Sequence, residues 1–365
     1  MLTQIYIDNF RCFVNFEYRP ERKQLLLGAN GSGKSSLIDA IKHIKRFVAG
    51  DDNPFTQSTR TRWQDKSLQV FEIEALLERE RHEYRIEIRF DPETKQPSVK
   101  LERLRVDGAT VFELAQGMVH FFSDDRSQLA PQRLETTNSA LHLSQLSNLR
   151  VRRFAEWLET MHCFRIDAYP DAMDDRADSG EGRPGSEFER LAGWYRRLVT
   201  AHPDHNLRFL KSMKSALDGF QGLRFVSEED GTQRLRADFT APTNKRVNYS
   251  LAELSEGQRC LLALYMTLHF LIAEGHTVFI DEPDNFIALR EIQPWLLASE
   301  AEVDDHEGQL ILVSHHPEIL NQWASKYGLR FFREENGHVR TERFRTDPNG
   351  SLQPSELIAR GWEDE

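Results

Sequence analysis

The stretch Gly28-Ala29-Asn30-Gly31-Ser32-Gly33-Lys34-Ser35 decides how this chain is read. It fits G-x-x-x-x-G-K-[ST] in full, and its flanks suit it. Gln24–Leu27 is a short, mostly apolar run before it, and residues 37–48 carry apolar side chains at helical spacing after it. Strand, glycine loop, helix is the order the chemistry needs. The glycines let successive N–H groups curl around phosphate oxygens, and the helix N-terminus adds the positive end of its dipole. On this spacing Asn30, Gly31, Ser32, Gly33 and Ser36 are the loop's phosphate contacts, Lys34 reaches the outer phosphates, and the Ser35 hydroxyl ligates Mg²⁺. The plain alternative is a glycine turn without a ligand.

Working outward, Leu2–Asp8 reads as a strand, and from Leu68 to Leu114 the apolar residues alternate with polar ones. Breaks at Asp91-Pro92 and Asp107-Gly108 divide that stretch into an antiparallel sheet of three or four strands. Residues 140–165 have helical spacing, and 167–187, rich in Asp, Gly, Pro and Ser, is an acidic surface loop. Two short helices follow over 187–202 and 207–220, and after Leu223 the chain is extended again. A second α/β run comes next: helix 257–273, strand 277–281, helix 288–300, strand 309–314, helix 317–325, then a hairpin turning at Asn336-Gly337. The predicted fold class is α/β, a P-loop nucleoside-triphosphatase with an antiparallel β subdomain and an inserted helical lobe. Its expected divisions are 1–145, 146–250 and 251–365.

Composition narrows the function. The chain has 365 residues, with 47 lysines and arginines against 58 aspartates and glutamates, a net charge of −11. A protein that coats nucleic acid with its whole surface would be basic, so any DNA contact has to be local. Clusters such as Arg60 with Arg62, or Arg150 with Arg152 and Arg153, could supply one; their plainer reading is a solvated face. Cys12, Cys163 and Cys260 form no CxxC pair, which argues against a disulfide framework or a zinc site. The longest apolar run, Cys260–Ala273, is too short to span a bilayer, and the N-terminus has no long apolar core. We therefore expect a cytoplasmic protein with no membrane partner.

Three further motifs follow the loop. Val278-Phe279-Ile280-Asp281-Glu282-Pro283 is an apolar strand ending in two carboxylates. Asp281 there would hold Mg²⁺ and Glu282 would polarise an attacking water, although a plain helix cap fits as well. Leu254-Ser255-Glu256-Gly257-Gln258-Arg259 opens an apolar helix with Ser255 as N-cap, or forms a second anion site. Strand Gln309–Val313 runs into Ser314-His315-His316, placing His315 at the sheet edge where ligands bind in open α/β folds. Two adjacent histidines could also suggest a metal, but no third ligand has suitable spacing.

These four motifs, in this order, resemble the ABC-type ATPases, especially the SMC/RecF-like branch, which includes OLD-like stand-alone ATPases. Asn9-Phe10-Arg11 is similar to that branch's N-F-[RK] element, whose basic residue lies near the nucleotide. The resemblance covers about residues 1–48 and 250–345. It implies ATP and Mg²⁺ as cofactors, with Arg11, Asn30, Gly31, Ser32, Gly33, Lys34, Ser35 and Ser36 binding nucleotide in cis. It implies Asp281 and Ser35 on the metal, with Glu282 and His315 catalytic. Ser255, Gly257 and Gln258 would act in trans, across an ATP-dependent homodimer that could build a larger assembly.

Two features depart from the family pattern: in Leu254–Gln258, which is similar to the family's LSGGQ signature, Glu256 stands at the first glycine, and Asp284-Asn285-Phe286-Ile287-Ala288-Leu289 lacks the usual D-loop aspartate. Gln128, Gln132 and Gln145 are all candidates for the Q-loop. A transporter subunit is disfavoured by the long stretch between loop and signature. A Toprim nuclease is disfavoured by the short stretch after His315, and a GTPase by Asn244-Lys245-Arg246-Val247, which lacks the NKxD aspartate. Two roles remain: a sensor or regulatory scaffold for a separately encoded effector such as a nuclease or toxin, as in phage defence or toxin–antitoxin pairs, or a DNA-engaging ATPase of genome maintenance.

Overall fold

A computed structural model of the chain describes residues 1–50, 54–134, 139–141, 148–166, 173–177, 188, 190–228, 231–347 and 351–361. It resolves into two compact units. The first holds Met1–Glu21, Leu26–Met161 and Leu329–Arg343; the second holds Arg22–Leu25, His162–Gly328 and Phe344–Glu365.

The first unit carries an eight-stranded antiparallel sheet. In chain order its strands are β1 (Leu2–Asp8), β2 (Phe16–Tyr18), β4 (Leu68–Leu77), β5 (Glu80–Phe90), β6 (Pro97–Val106), β7 (Ala109–Ala115), β8 (Met118–Phe121) and β9 (Gln132–Arg133). Their spatial order is β2-β1-β4-β5-β6-β7-β8-β9. The alternation seen in the sequence is the pleat: Phe71, Ile73, Ala75 and Leu77 on β4 and Tyr84, Ile86, Ile88 and Phe90 on β5 are all buried. Asp107 and Gly108 both take positive φ, 48° and 78°, so Val106 pairs directly with Ala109 across a two-residue turn. The run read as three or four strands is the centre of this larger sheet.

Helix α1 (Lys34–Val48) turns Leu37, Ile38, Ile41, Ile44 and Phe47 into the core of the same unit. A hairpin of β16 (Gly328–Arg333) and β17 (Val339–Arg343) closes at Asn336-Gly337, as the sequence predicts. The helix expected over 140–165 is shorter. Its described part is α2 (Leu149–Glu159), capped by Asn148, whose side chain accepts from the N–H groups of Arg150 and Val151 at 2.9 and 3.2 Å. After the Thr160 cap the chain becomes strand β10 (Met161–Arg165).

The second unit contains β10, β14 (Thr277–Asp281), β15 (Gln309–Val313) and the start of β3 (Lys23–Leu27), in the order β10-β14-β15-β3. Strands β14 and β15 are parallel, with Asp281 opposite Val313. Helix α5 (Glu256–Met266) begins the apolar stretch expected as one helix over 257–273. From Thr267 to Leu271 that stretch becomes π-helical, and Ile272–Glu274 tightens to a 3₁₀ turn. The Thr267 hydroxyl donates to the Ala263 carbonyl at 2.9 Å, the kind of back-bond that loosens a helix ladder. Residues 146–250 contain helices α3 (Leu191–Ala201) and α4 (Pro203–Ala216). They also contain a separate sheet of β11 (Phe220–Ser227), β12 (Gln233–Thr240) and β13 (Arg246–Ser250). Helix α6 (Leu289–Asp305) lies between β14 and β15 in sequence. Among the described residues no helix is long and apolar enough to cross a membrane.

Candidate functional site

The glycine loop has the geometry of an anion cradle. Gly28, Gly31 and Gly33 take φ of 131°, 78° and 114°, a region that other residues rarely visit. At Gly28 a Cβ would sit 2.1 Å from the Phe331 carbonyl oxygen, so only glycine fits there. The α1 N-terminus has no side-chain cap and no acidic residue in its first turn, so the positive end of its dipole meets no carboxylate of that turn. Lys34 is buried, and its Nζ donates to the carbonyls of Gly28 at 2.6 Å and Ala29 at 3.1 Å. Those contacts hold the ammonium over the loop. Ser35 is exposed at the helix start, as are Asn30 and Gly31. Positive-φ glycines, a buried ammonium and a helix N-terminus together suit a polyphosphate anion.

Asn9-Phe10-Arg11 packs against helix α1, which follows the loop. Buried Asn9 donates to the carbonyls of Lys66 and Leu68, both at 2.8 Å, and accepts from the Thr61 N–H at 3.2 Å. Phe10 packs edge-on against His43 of α1 and Phe71 of β4. Arg11, at φ 49°, pairs with Asp39 on α1 and stays partly exposed.

In the second unit the parallel pair β14–β15 brings its motif residues to one edge. Asp281 ends β14, and Glu282, at φ 54°, donates its N–H to the Val313 carbonyl at 2.8 Å. The Glu282 carboxylate accepts from the Asn285 side chain at 3.0 Å and from Arg165 at 3.4 Å. Ser314, next after β15, donates to Asp284 at 2.5 Å, and exposed His315 follows it. A carboxylate held by an amide and a guanidinium is aimed, as a general base has to be.

The signature segment is a capped helix start. Ser255 Oγ accepts from the Gln258 N–H at 3.2 Å, while Gln258 Oε1 accepts from the Ser255 N–H at 2.9 Å. Ser255 is exposed, and Glu256, Gly257 and Gln258 of the first turn are half-buried. Buried Arg259 donates to the carbonyls of Leu251, Ala252 and Leu254, fixing the turn that presents Ser255. A Cβ on Gly257 would stand 2.8 Å from the Phe286 carbonyl, which seats α5 against the loop after Glu282.

Several neighbours of these groups carried no sequence signal. Arg165 and Asn285 reach Glu282; Arg333 Nε donates to the Gly31 carbonyl at 2.9 Å and lies over the Trp63 ring. Gln128 bonds His120 at 3.0 Å and Gln132 lies exposed on β9, whereas Gln145 lies outside the described residues. Two of the arginines proposed for DNA have acidic partners. Arg150 pairs with Glu80 at 3.0 Å, and Arg153 with Glu78 at 2.7 Å and Glu80 at 3.1 Å.

A strand–glycine loop–helix, an antiparallel sheet and a parallel strand pair whose first strand runs into Asp-Glu define a P-loop head of the ABC type. The family model described as the RecF/RecN/SMC N terminal domain matches residues 1–338, and the chain belongs to that family. Among solved structures, the SMC head bound to the C-winged helix domain of ScpA shares this fold. It is 11% identical, with a TM-score of 0.57, and the match covers 96% of this chain and 99% of that one. The SMC head domain from Thermotoga maritima is 16% identical, with a TM-score of 0.49, over 94% of this chain and 99% of that one. A search of curated proteins finds no match.

Proposed function

We propose that the chain binds and hydrolyses ATP, closes head-to-tail on a second copy, and serves as a regulatory scaffold for a separately encoded effector. The observation that carries the ATPase reading is the loop at Gly28–Lys34: a cradle that only glycine can form, a buried lysine held over it, and an uncapped helix behind it. Mg²⁺ on Ser35 and Asp281 would neutralise the phosphates. Glu282, oriented by Asn285 and Arg165, would take the proton of the attacking water. His315, exposed at the same edge as Glu282, would contact the outer phosphate. Ser255, the Gly257 N–H and Gln258 would meet the partner's nucleotide, at the turn that the Ser255–Gln258 cap shapes.

The scaffold reading rests on charge. The chain is acidic, at −11, and Arg150 and Arg153 are already paired with Glu78 and Glu80, which leaves little of that face for a DNA backbone. A head of this fold solved with the C-winged helix domain of ScpA gives precedent for a protein partner. Family membership favours a second reading, a DNA-engaging ATPase of genome maintenance.

One experiment separates the two. Tagged Glu282→Gln and Lys34→Ala chains are purified from the native host with ATP, and DNA binding is followed over a salt series. A nuclease or toxin held by the first variant and not the second supports the scaffold. Salt-sensitive DNA binding without such a protein supports the second reading. A Glu282→Gln chain that neither dimerises with ATP nor slows in turnover overturns both.

A further inference from the structure

Away from the nucleotide motifs, the second unit brings His202, His205 and Glu274 together. His202 precedes α4, His205 lies in its first turn, and Glu274 ends the 3₁₀ turn before β14. His202 Nδ1 is 3.1 Å and His205 Nε2 is 3.4 Å from the same Glu274 oxygen, and all three ligand atoms lie within 4.8 Å of one another. The two imidazoles stack nearly parallel, with centroids 5.2 Å apart and planes 18° from coplanar, so both present a nitrogen on the same side.

We propose that His202, His205 and Glu274 form a site for a borderline divalent transition metal, Zn²⁺ in the first instance. Tetrahedral zinc with bonds near 2.0–2.1 Å places its ligand atoms about 3.3 Å apart, and the two measured separations bracket that value. Two imidazoles and one carboxylate suit Zn²⁺, Co²⁺ or Ni²⁺, while Mg²⁺ and Ca²⁺ prefer oxygen-only sets. Three protein ligands leave a fourth position to water, so the site is open rather than a closed structural one. His205 Nδ1 is buried without a hydrogen-bond partner and Nε2 faces Glu274, so a metal bound at Nε2 would move the ring proton to Nδ1. Arg208, whose charge acts on His205, is turned to Glu302 and His306, at 3.6 and 3.3 Å. A bound ion would tie the start of α4 to the segment that leads through Gly275, at φ 81°, into the Asp281-Glu282 strand. The simpler alternative is a pair of N–H···O bonds to Glu274 with no metal.

The untagged chain is titrated with Zn²⁺ by calorimetry, and with Co²⁺ by visible absorption, where four-coordinate cobalt gives intense d–d bands. We expect one equivalent per chain, a rise in thermal midpoint with Zn²⁺, and at least a tenfold loss of affinity in His205→Asn and in Glu274→Gln. His162→Asn is the control: His162 faces His276 at 3.2 Å as the neighbouring histidine pair, and this variant should bind as the parent does. A parent chain that binds no Zn²⁺ at micromolar concentration overturns the proposal. So does a folded Glu274→Gln chain with unchanged affinity, and either result stands even where His205→Asn fails to fold.

Discussion

The Asn285 side-chain amide donates to Glu282 Oε2 at 3.0 Å, so the residue standing beside the missing D-loop aspartate aims the carboxylate at the end of β14. Glu282→Gln keeps this geometry and removes the base. It should bind ATP normally and lose about 10²–10⁴ in kcat, with an ATP-dependent dimer on size exclusion. Normal turnover would sink the assignment. Asn285→Ala should lower kcat with nucleotide affinity unchanged, as expected of a positioning residue.

Gly28→Ala puts a methyl 2.1 Å from the Phe331 carbonyl at a φ of 131°. The loop or β16 must move, at a cost of about 1–3 kcal/mol in urea unfolding. Nucleotide affinity should fall with it. The same change at Gly31, where a Cβ meets nothing within 4 Å, should cost less despite its φ of 78°. Equal losses at both positions would remove the argument from close approach.

Ser255→Ala deletes the cap on α5 and should destabilise the chain by about 1 kcal/mol. Ser255→Arg, placed where solvent now lies, should abolish hydrolysis while the isolated chain still binds nucleotide. Persisting activity would exclude the trans arrangement.

Burial lowers the pKa of His43, beside Phe10, and of His82, stacked on Phe154. The unfolded chain therefore takes up these protons first as pH falls. The stability they contribute is full above the ordinary histidine value near 6.5 and declines below it. The thermal midpoint should fall between neutral pH and about 5.5, and His82→Phe, which keeps the stacking, should flatten that slope. An unchanged slope in His82→Phe would remove His82 from the account.

The sequence exposes the fold wherever an apolar run has sharp polar limits. Leu2–Asp8 and Thr277–Asp281 appear with the bounds their patterns suggest. It fails at 140–165, because Phe154, Trp157, Leu158 and Met161 keep helical spacing across Thr160, where the helix stops and β10 begins. It also fails beyond Met266, since a π-helical turn keeps the same apolar residues. The candidate site divides in the same way. Lys34, Asp281 and Ser255 lie in local motifs, but Arg165 reaches Glu282 from 117 positions away, and no spacing encodes that contact.

The contact between Gly28 and Phe331, with the Arg333–Gly31 hydrogen bond beside it, also orders events in time. The two bonded residues are 302 positions apart. At about 5–20 residues per second, a translating ribosome takes on the order of 15–60 s to bridge that interval. The loop emerges early and waits, without its supporting carbonyl, for the hairpin that shapes it. A nascent chain therefore gains a finished nucleotide cradle only once residues through Arg333 have been made, and a product truncated before them is born unable to load.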